Sequence, residues 1–143
     1  MNSNAPSTLL QLDYRPDLNI LVGRWGYQPA PHELPLVYQQ VEELAIEANC
    51  RFWLQDIRRR TLNDPQTTRW LFKDFFPNMA RRLGGRLYVA YLVGPALHEA
   101  IVQQPGYVSA ESYDGQPFAI SFFGDEGEAM RWLQAHPADA PVA

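Results

Sequence analysis

A single cysteine, Cys50, rules out an intramolecular disulfide, and nothing else points to an oxidising compartment. No apolar run approaches the roughly 18 residues a membrane helix needs. The N-terminal "MNSNAPST" lacks the charged-then-apolar design of a secretion signal. Basic residues are in the minority, 12 Lys and Arg against 16 Asp and Glu, and the net charge of −4 argues against a dedicated nucleic-acid binder. The three histidines, His32, His98 and His136, stand apart with no ligand-like spacing. Asp13, Asp17 and Asp56 form no recognisable acid–base pair, and Cys50 has no His or Asp at a telling distance. The expectation is a soluble cytoplasmic protein that is not an enzyme, with no metal, no cofactor, no membrane contact and no nucleic-acid partner.

What is present is a good apolar supply. Hydrophobic residues make up 46% of the 143, including 4 Trp, 7 Tyr and 7 Phe, which suits one domain that buries about two-thirds of its unfolded surface. Residues 1–8 and 136–143 are small, polar and proline-rich, and read as flexible tails around a domain over 9–135.

Inside that domain the pattern alternates. Leu9 to Asp13 and Leu18 to Tyr27 read as strands joined by a turn with Pro16 and Asp17 at its tip. In the second strand Leu18, Ile20 and Val22 share one face and Leu21 and Trp25 the other, the mark of a covered strand. Leu34, Val37, Val41, Leu44, Ala45 and Ala48 fall at helical spacing. "RFWLQDI" is a short strand, and Asp64-Pro65 is an N-cap with proline at the first helical position. That helix runs over 65–83, with a kink expected at Pro77 and a stop at Gly84 and Gly85. "RLYVAYLVG" reads as the clearest buried strand and "PALHEAIV" as a short helix. "QQPGYVSAESYDGQ" follows as a turn-rich loop, "PFAISFF" as the last strand, and "DEGEAMRWLQAH" as a helix capped by Asp125. Strands alternating with helices imply parallel crossovers. The fold class is therefore α/β, a single domain with a mixed, mostly parallel sheet of about five strands under covering helices. Phe52 to Ile57 and Leu87 to Val93 should be adjacent, central and parallel.

This layout, closing in "ISFFGDEGEAMRWLQ" after "RLYVAYLVG", resembles the STAS-type fold, in its SpoIIAA-like branch, over roughly Leu9 to Gln134. The resemblance implies non-enzymatic work: protein–protein switching, sometimes with binding of small or apolar ligands. In switching members a phosphorylatable Ser or Thr sits between a central strand and the next helix, here within Thr61 to Thr68. The usual D-S-S-G-like motif is absent, with "DIRRRTLND" in its place.

Two stretches carry the candidate residues. Arg58, Arg59 and Arg60, flanked by Asp56 and Thr61, fall where α/β sheets place ligands, beyond the carboxyl end of a strand. They suit an acidic protein partner or a single anion. At least one arginine is expected to pair with Asp56 or Asp64 and the others to be exposed and free, because three guanidinium groups in a core need more counter-charge than is nearby. The second stretch is the aromatic helix, whose Trp70, Phe72, Phe75, Phe76 and Met79 cover more than half its circumference. One side should pack on the sheet. The rest implies a larger core, a homodimer surface or a pocket for an apolar ligand. The leading expectation is an interaction or regulatory module that binds a partner at the Asp56–Asp64 loop. The alternative is a carrier of an apolar or anionic small ligand held between helix 65–83 and the sheet.

Overall fold

Residues 9–104, 107, 113 and 115–136 are described by the structure, a computed structural model. The tail segments 1–8 and 137–143, and most of the stretch read as a loop after the fourth helix, lie outside the described residues. The strands are β1 (Leu10–Arg15), β2 (Ile20–Trp25), β3 (Phe52–Asp56), β4 (Leu87–Leu92) and β5 (Phe118–Phe123). The helices are α1 (Leu34–Ala48), α2 (Pro65–Trp70), α3 (Phe76–Leu83), α4 (Pro95–Val102) and α5 (Glu126–Gln134).

The strands form one five-stranded sheet in the order β1-β2-β3-β4-β5. β1 and β2 are antiparallel, and every later neighbour is parallel. β3 and β4 are central, paired Phe52 to Tyr88 through Asp56 to Leu92. Each of their residues is buried, as the unbroken apolar runs demand. Because successive crossovers step the same way with the same hand, α1 and α2–α3 lie on one face. Trp25 meets Tyr38 there, Trp53 meets Phe75, and Phe118 meets Phe76. On the opposite face α5 packs on β3, β4 and β5, with Trp132 against Tyr88 and Phe123.

Local chemistry sets the element ends. β1 runs two residues further than the hydrophobic pattern indicates, because Asn19 takes the left-handed conformation (φ 56°) and closes the hairpin after Asp17. The Asp64 carboxylate accepts the Thr67 N–H and caps α2, and Asp125 does the same for α5 through the Glu128 N–H at 3.0 Å. Gly84 ends α3 at φ 74°. The discontinuity expected at Pro77 is a π turn over Leu71–Phe75, in which the Phe76 N–H bonds to the Leu71 carbonyl. A proline ring strikes the carbonyl four residues before it, and the wider turn just upstream relieves that clash. His136, read as the start of a tail, instead stacks on Tyr88 with centroids 4.1 Å apart.

Candidate functional site

On β1, Leu10, Leu12 and Tyr14 turn toward the sheet face that α1 covers, while Gln11, Asp13 and Arg15 are exposed on the other. With α5 resting on β3 to β5, that second face of β1 and β2 lies beside a groove of about 680 Å³. Its lining is Gln11, Arg24, Trp25, Gly26, Asp56, Arg58 and Arg59.

Asp56 ends β3 and is the hub of this site. Its register partner on β2 is Arg24, so the two side chains leave the same face of the sheet. Arg24 donates to Asp56 at 3.0 Å and to both oxygens of Glu126, in the first turn of α5, at 3.1 Å. Arg58 closes a bidentate pair on Asp56 at 2.9 and 2.8 Å, and its backbone N–H adds a third bond at 3.2 Å. Burial pushes the Asp56 carboxyl up, but the bonds from Arg58 and then Arg24 outweigh it and hold the group below its ordinary range. The Asp56 side chain is 11% exposed, against 40% for Arg24 and 52% for Arg58, so the carboxylate is sunk and the guanidinium groups rim the groove.

The three arginines of "IRRRT" part company. A turn bonded from the Arg60 N–H to the Ile57 carbonyl at 2.9 Å sends their side chains in different directions. Arg58 is tied to Asp56 as expected. Arg59 is exposed and, among the described residues, has no ion-pair or hydrogen-bond partner. Arg60 corrects the expectation that the remaining arginines are free, for it is only 5% exposed. Its guanidinium lies 4.4 Å from the Trp25 ring centroid and donates to the side-chain oxygens of Gln28 and Asn63. A planar, weakly hydrated cation can be held this way by an aromatic face and neutral acceptors. Thr61 stays exposed, and its backbone N–H donates to the same Gln28 oxygen at 3.1 Å.

The aromatic helix is placed differently from the loop. Phe75, Phe76 and Met79 are buried, and Trp70 and Phe72 are half-buried. Phe72 packs against Phe76, Phe118 and Tyr113, and Trp70 against Tyr38 and Phe75. Much of the surplus apolar surface is thus taken up by the chain's own core, with Trp70 and Phe72 keeping part of theirs outside it. The exposed large hydrophobics among the described residues are Tyr27, Leu36, Val102 and Tyr107, none of them on this helix.

Cys50 is buried, with its thiol pushed up by desolvation and its sulfur 3.2 Å from the Phe52 carbonyl, which suits a packing role. Among the described residues no group of His, Cys, Asp or Glu is arranged to hold a metal ion, and no helix is long and apolar enough to cross a membrane. Two members of the site, Arg24 and Glu126, escaped the sequence reading. The available signal was a lone arginine in an otherwise apolar strand. Gln55, a polar residue in the apolar run of β3, gave a similar signal. No protein-family model matches the chain, and no curated protein sequence does either.

Proposed function

We propose that this protein is a non-enzymatic interaction module of the STAS type, and that it docks an acidic segment of a protein partner on the loop and groove at the carboxyl ends of β2 and β3. The observation that carries the reading is Arg59, an exposed cation without a partner among the described residues, at the rim of an open groove lined by three arginines and one aspartate. In a chain of net charge −4 this is a local positive spot, which favours acidic partners and fast, salt-sensitive association. The absence of an enzyme role is supported by the state of the acids here. Asp56 is clamped by two arginines and held ionised, so it is not poised to exchange a proton near neutral pH. The sequential strand order with crossover helices on one face supports the STAS-type reading.

The test is the double variant Arg58→Ser/Arg59→Ser. Arg58 is half-exposed, and the sunken Asp56 keeps Arg24 and the backbone N–H of residue 58, so the double change should cost about 1 kcal/mol and lower the melting temperature by only a few degrees. Binding of a fluorescent Asp/Glu-rich peptide should weaken, and its dependence on salt should flatten. A peptide that binds the double variant as tightly as the natural chain would refute the docking site. Arg60 is left in place because its role is internal.

A further inference from the structure

The docking groove adjoins a second, smaller hollow of about 260 Å³ on the bare face of β1 and β2, bordered by Asp13, Val22, Glu126 and Met130. Gln11 and Arg24 line both hollows, so Arg24 stands at the boundary between them. Its guanidinium is shared unequally. Nη1 donates to the sunken Asp56 at 3.0 Å, while Nη1 and Nη2 together grip the two oxygens of Glu126 at 3.1 Å. Paired N–H bonds to a planar carboxylate are the geometry by which arginine recognises that group. Asp56 is fixed, being 11% exposed and bonded to Arg58 as well. Glu126 is not, for its side chain is 40% exposed on the first turn of α5. The helix is held without it, since the Asp125 carboxylate caps α5 and Ala129 and Leu133 anchor it in the core.

An ion pair exposed to this degree is weak and exchanges readily. Arg24 is thus a preformed carboxylate fork whose occupant in the free protein is the chain's own Glu126. We propose that Arg24 is the specificity-determining fork of the docking groove, and that Glu126 is a stand-in for a partner carboxylate, displaced when an acidic segment binds. The inference rests on the docking reading above and adds which partner group goes where. One acidic side chain of the segment meets Arg59 at the rim. A second replaces Glu126 on Nη1 and Nη2 of Arg24, and the freed Glu126 turns into solvent. The bonds of Arg24 are conserved in the exchange, because Asp56 stays and one carboxylate takes the place of another. The charges agree with a two-acid segment. Three arginines, Arg24, Arg58 and Arg59, face two carboxylates, Asp56 and Glu126, which leaves one net positive charge in the free protein and two once Glu126 has left. A segment with one acidic group gains at Arg59 alone, whereas one with two spaced acids also gains the fork.

The experiment measures binding of a fluorescent Asp/Glu-rich peptide to the full-length natural chain, to Glu126→Gln, Glu128→Gln and Arg24→Gln, and to the double variant Arg24→Gln/Glu126→Gln. Glu128→Gln removes an exposed charge from the same turn of α5 and reports the plain effect of less negative charge nearby. The expected result is binding about threefold tighter in Glu126→Gln than in Glu128→Gln, the value of one exposed ion pair. Arg24→Gln should bind more weakly than the natural chain, and in that background the gain from Glu126→Gln should shrink to the Glu128→Gln value. If the natural chain binds but Glu126→Gln is no tighter than Glu128→Gln, the exchange is overturned and the docking face stands. A gain that survives Arg24→Gln overturns it equally, since Glu126 would then act through its field and not through the fork. Binding by Glu126→Gln alone supports the exchange. If neither protein binds, the docking reading falls and the exchange with it. If Arg24→Gln fails to fold, Arg24→Lys, which keeps the charge and lacks the two-nitrogen fork, takes its place in the cycle.

Discussion

Replacing Gly23 by alanine tests how tightly the sheet is packed around Gln55. Gly23 sits on β2 directly across from Gln55. A Cβ placed there would lie 3.0 Å from both the Nε2 and Oε1 atoms of Gln55 and 3.3 Å from its Cδ. Ordinary carbon contacts are about 3.5–4.0 Å, so the amide would have to move by several tenths of an ångström. It has little freedom to do so, being 1% exposed and tied to Trp25 at 2.8 Å. Overpacking of this kind costs about 1–3 kcal/mol, and loss of the indole bond would add about 1 kcal/mol. Against this stands about 0.4–1 kcal/mol gained from a stiffer unfolded chain. The balance is a destabilisation of about 1–3 kcal/mol, or roughly 4 °C in melting temperature per kcal/mol for a domain of this size. Urea unfolding followed by tryptophan fluorescence reads it as a lower midpoint at constant slope. In a Gln55→Ala background the same Gly23→Ala change should lose most of its cost, because the obstructing amide is gone. A Gly23→Ala protein at least as stable as the natural chain would refute the reasoning. So would a penalty that persists without Gln55.

Two pH effects follow from the buried charges. Asp56 has a folded pKa below its unfolded value of about 3.9, so its contribution is complete above that value and is lost as pH falls through it toward the folded pKa. Asp56→Asn should cost about 1–3 kcal/mol at pH 7 and much less near pH 3; an equal cost at both would show that the charge is immaterial. His136 behaves differently, because burial first and Arg86 second lower its folded pKa below the ordinary 6.5. The unfolded chain therefore takes up the proton first, and stability declines as pH falls from about 6.5 toward the folded value. His136→Phe, which keeps the stack on Tyr88, should flatten stability as pH falls below about 6.5. An unaltered slope would place the titration elsewhere.

Much of the fold was legible because its signals are local. The apolar runs at 52–57 and 87–93 can be buried on both faces only as central strands, and the helical segment between them is long enough for a parallel crossover. Asp64, Asp125 and Gly84 announce helix ends through bonds and backbone angles that span a few residues. The extent of β1 was misjudged by two residues at its end because Asn19, not Pro16 or Asp17, takes the left-handed turn position. The position of the 57–64 loop at the carboxyl end of β3 was legible too, since the end of a strand before a capped helix is visible in the chain.

What each loop residue does could not be read that way. Arg58, Arg59 and Arg60 are identical in type and adjacent, yet one is clamped, one is exposed and one is buried on an indole ring. The difference comes from partners 32 to 35 residues away, Gln28 and Trp25, which strand pairing and the return of the chain bring under the loop. The Arg24–Glu126 clamp spans 102 residues and exists only because α5 sets its first turn beside the end of β2. The unsatisfied amide of Gln55 is likewise invisible until the sheet register places Gly23 and Trp25 against it. Short-range capping, turn chemistry and hydrophobic period are written in the order of residues. Side-chain direction, burial of charge and the company a polar group keeps are decided by contacts that form only when distant segments pack.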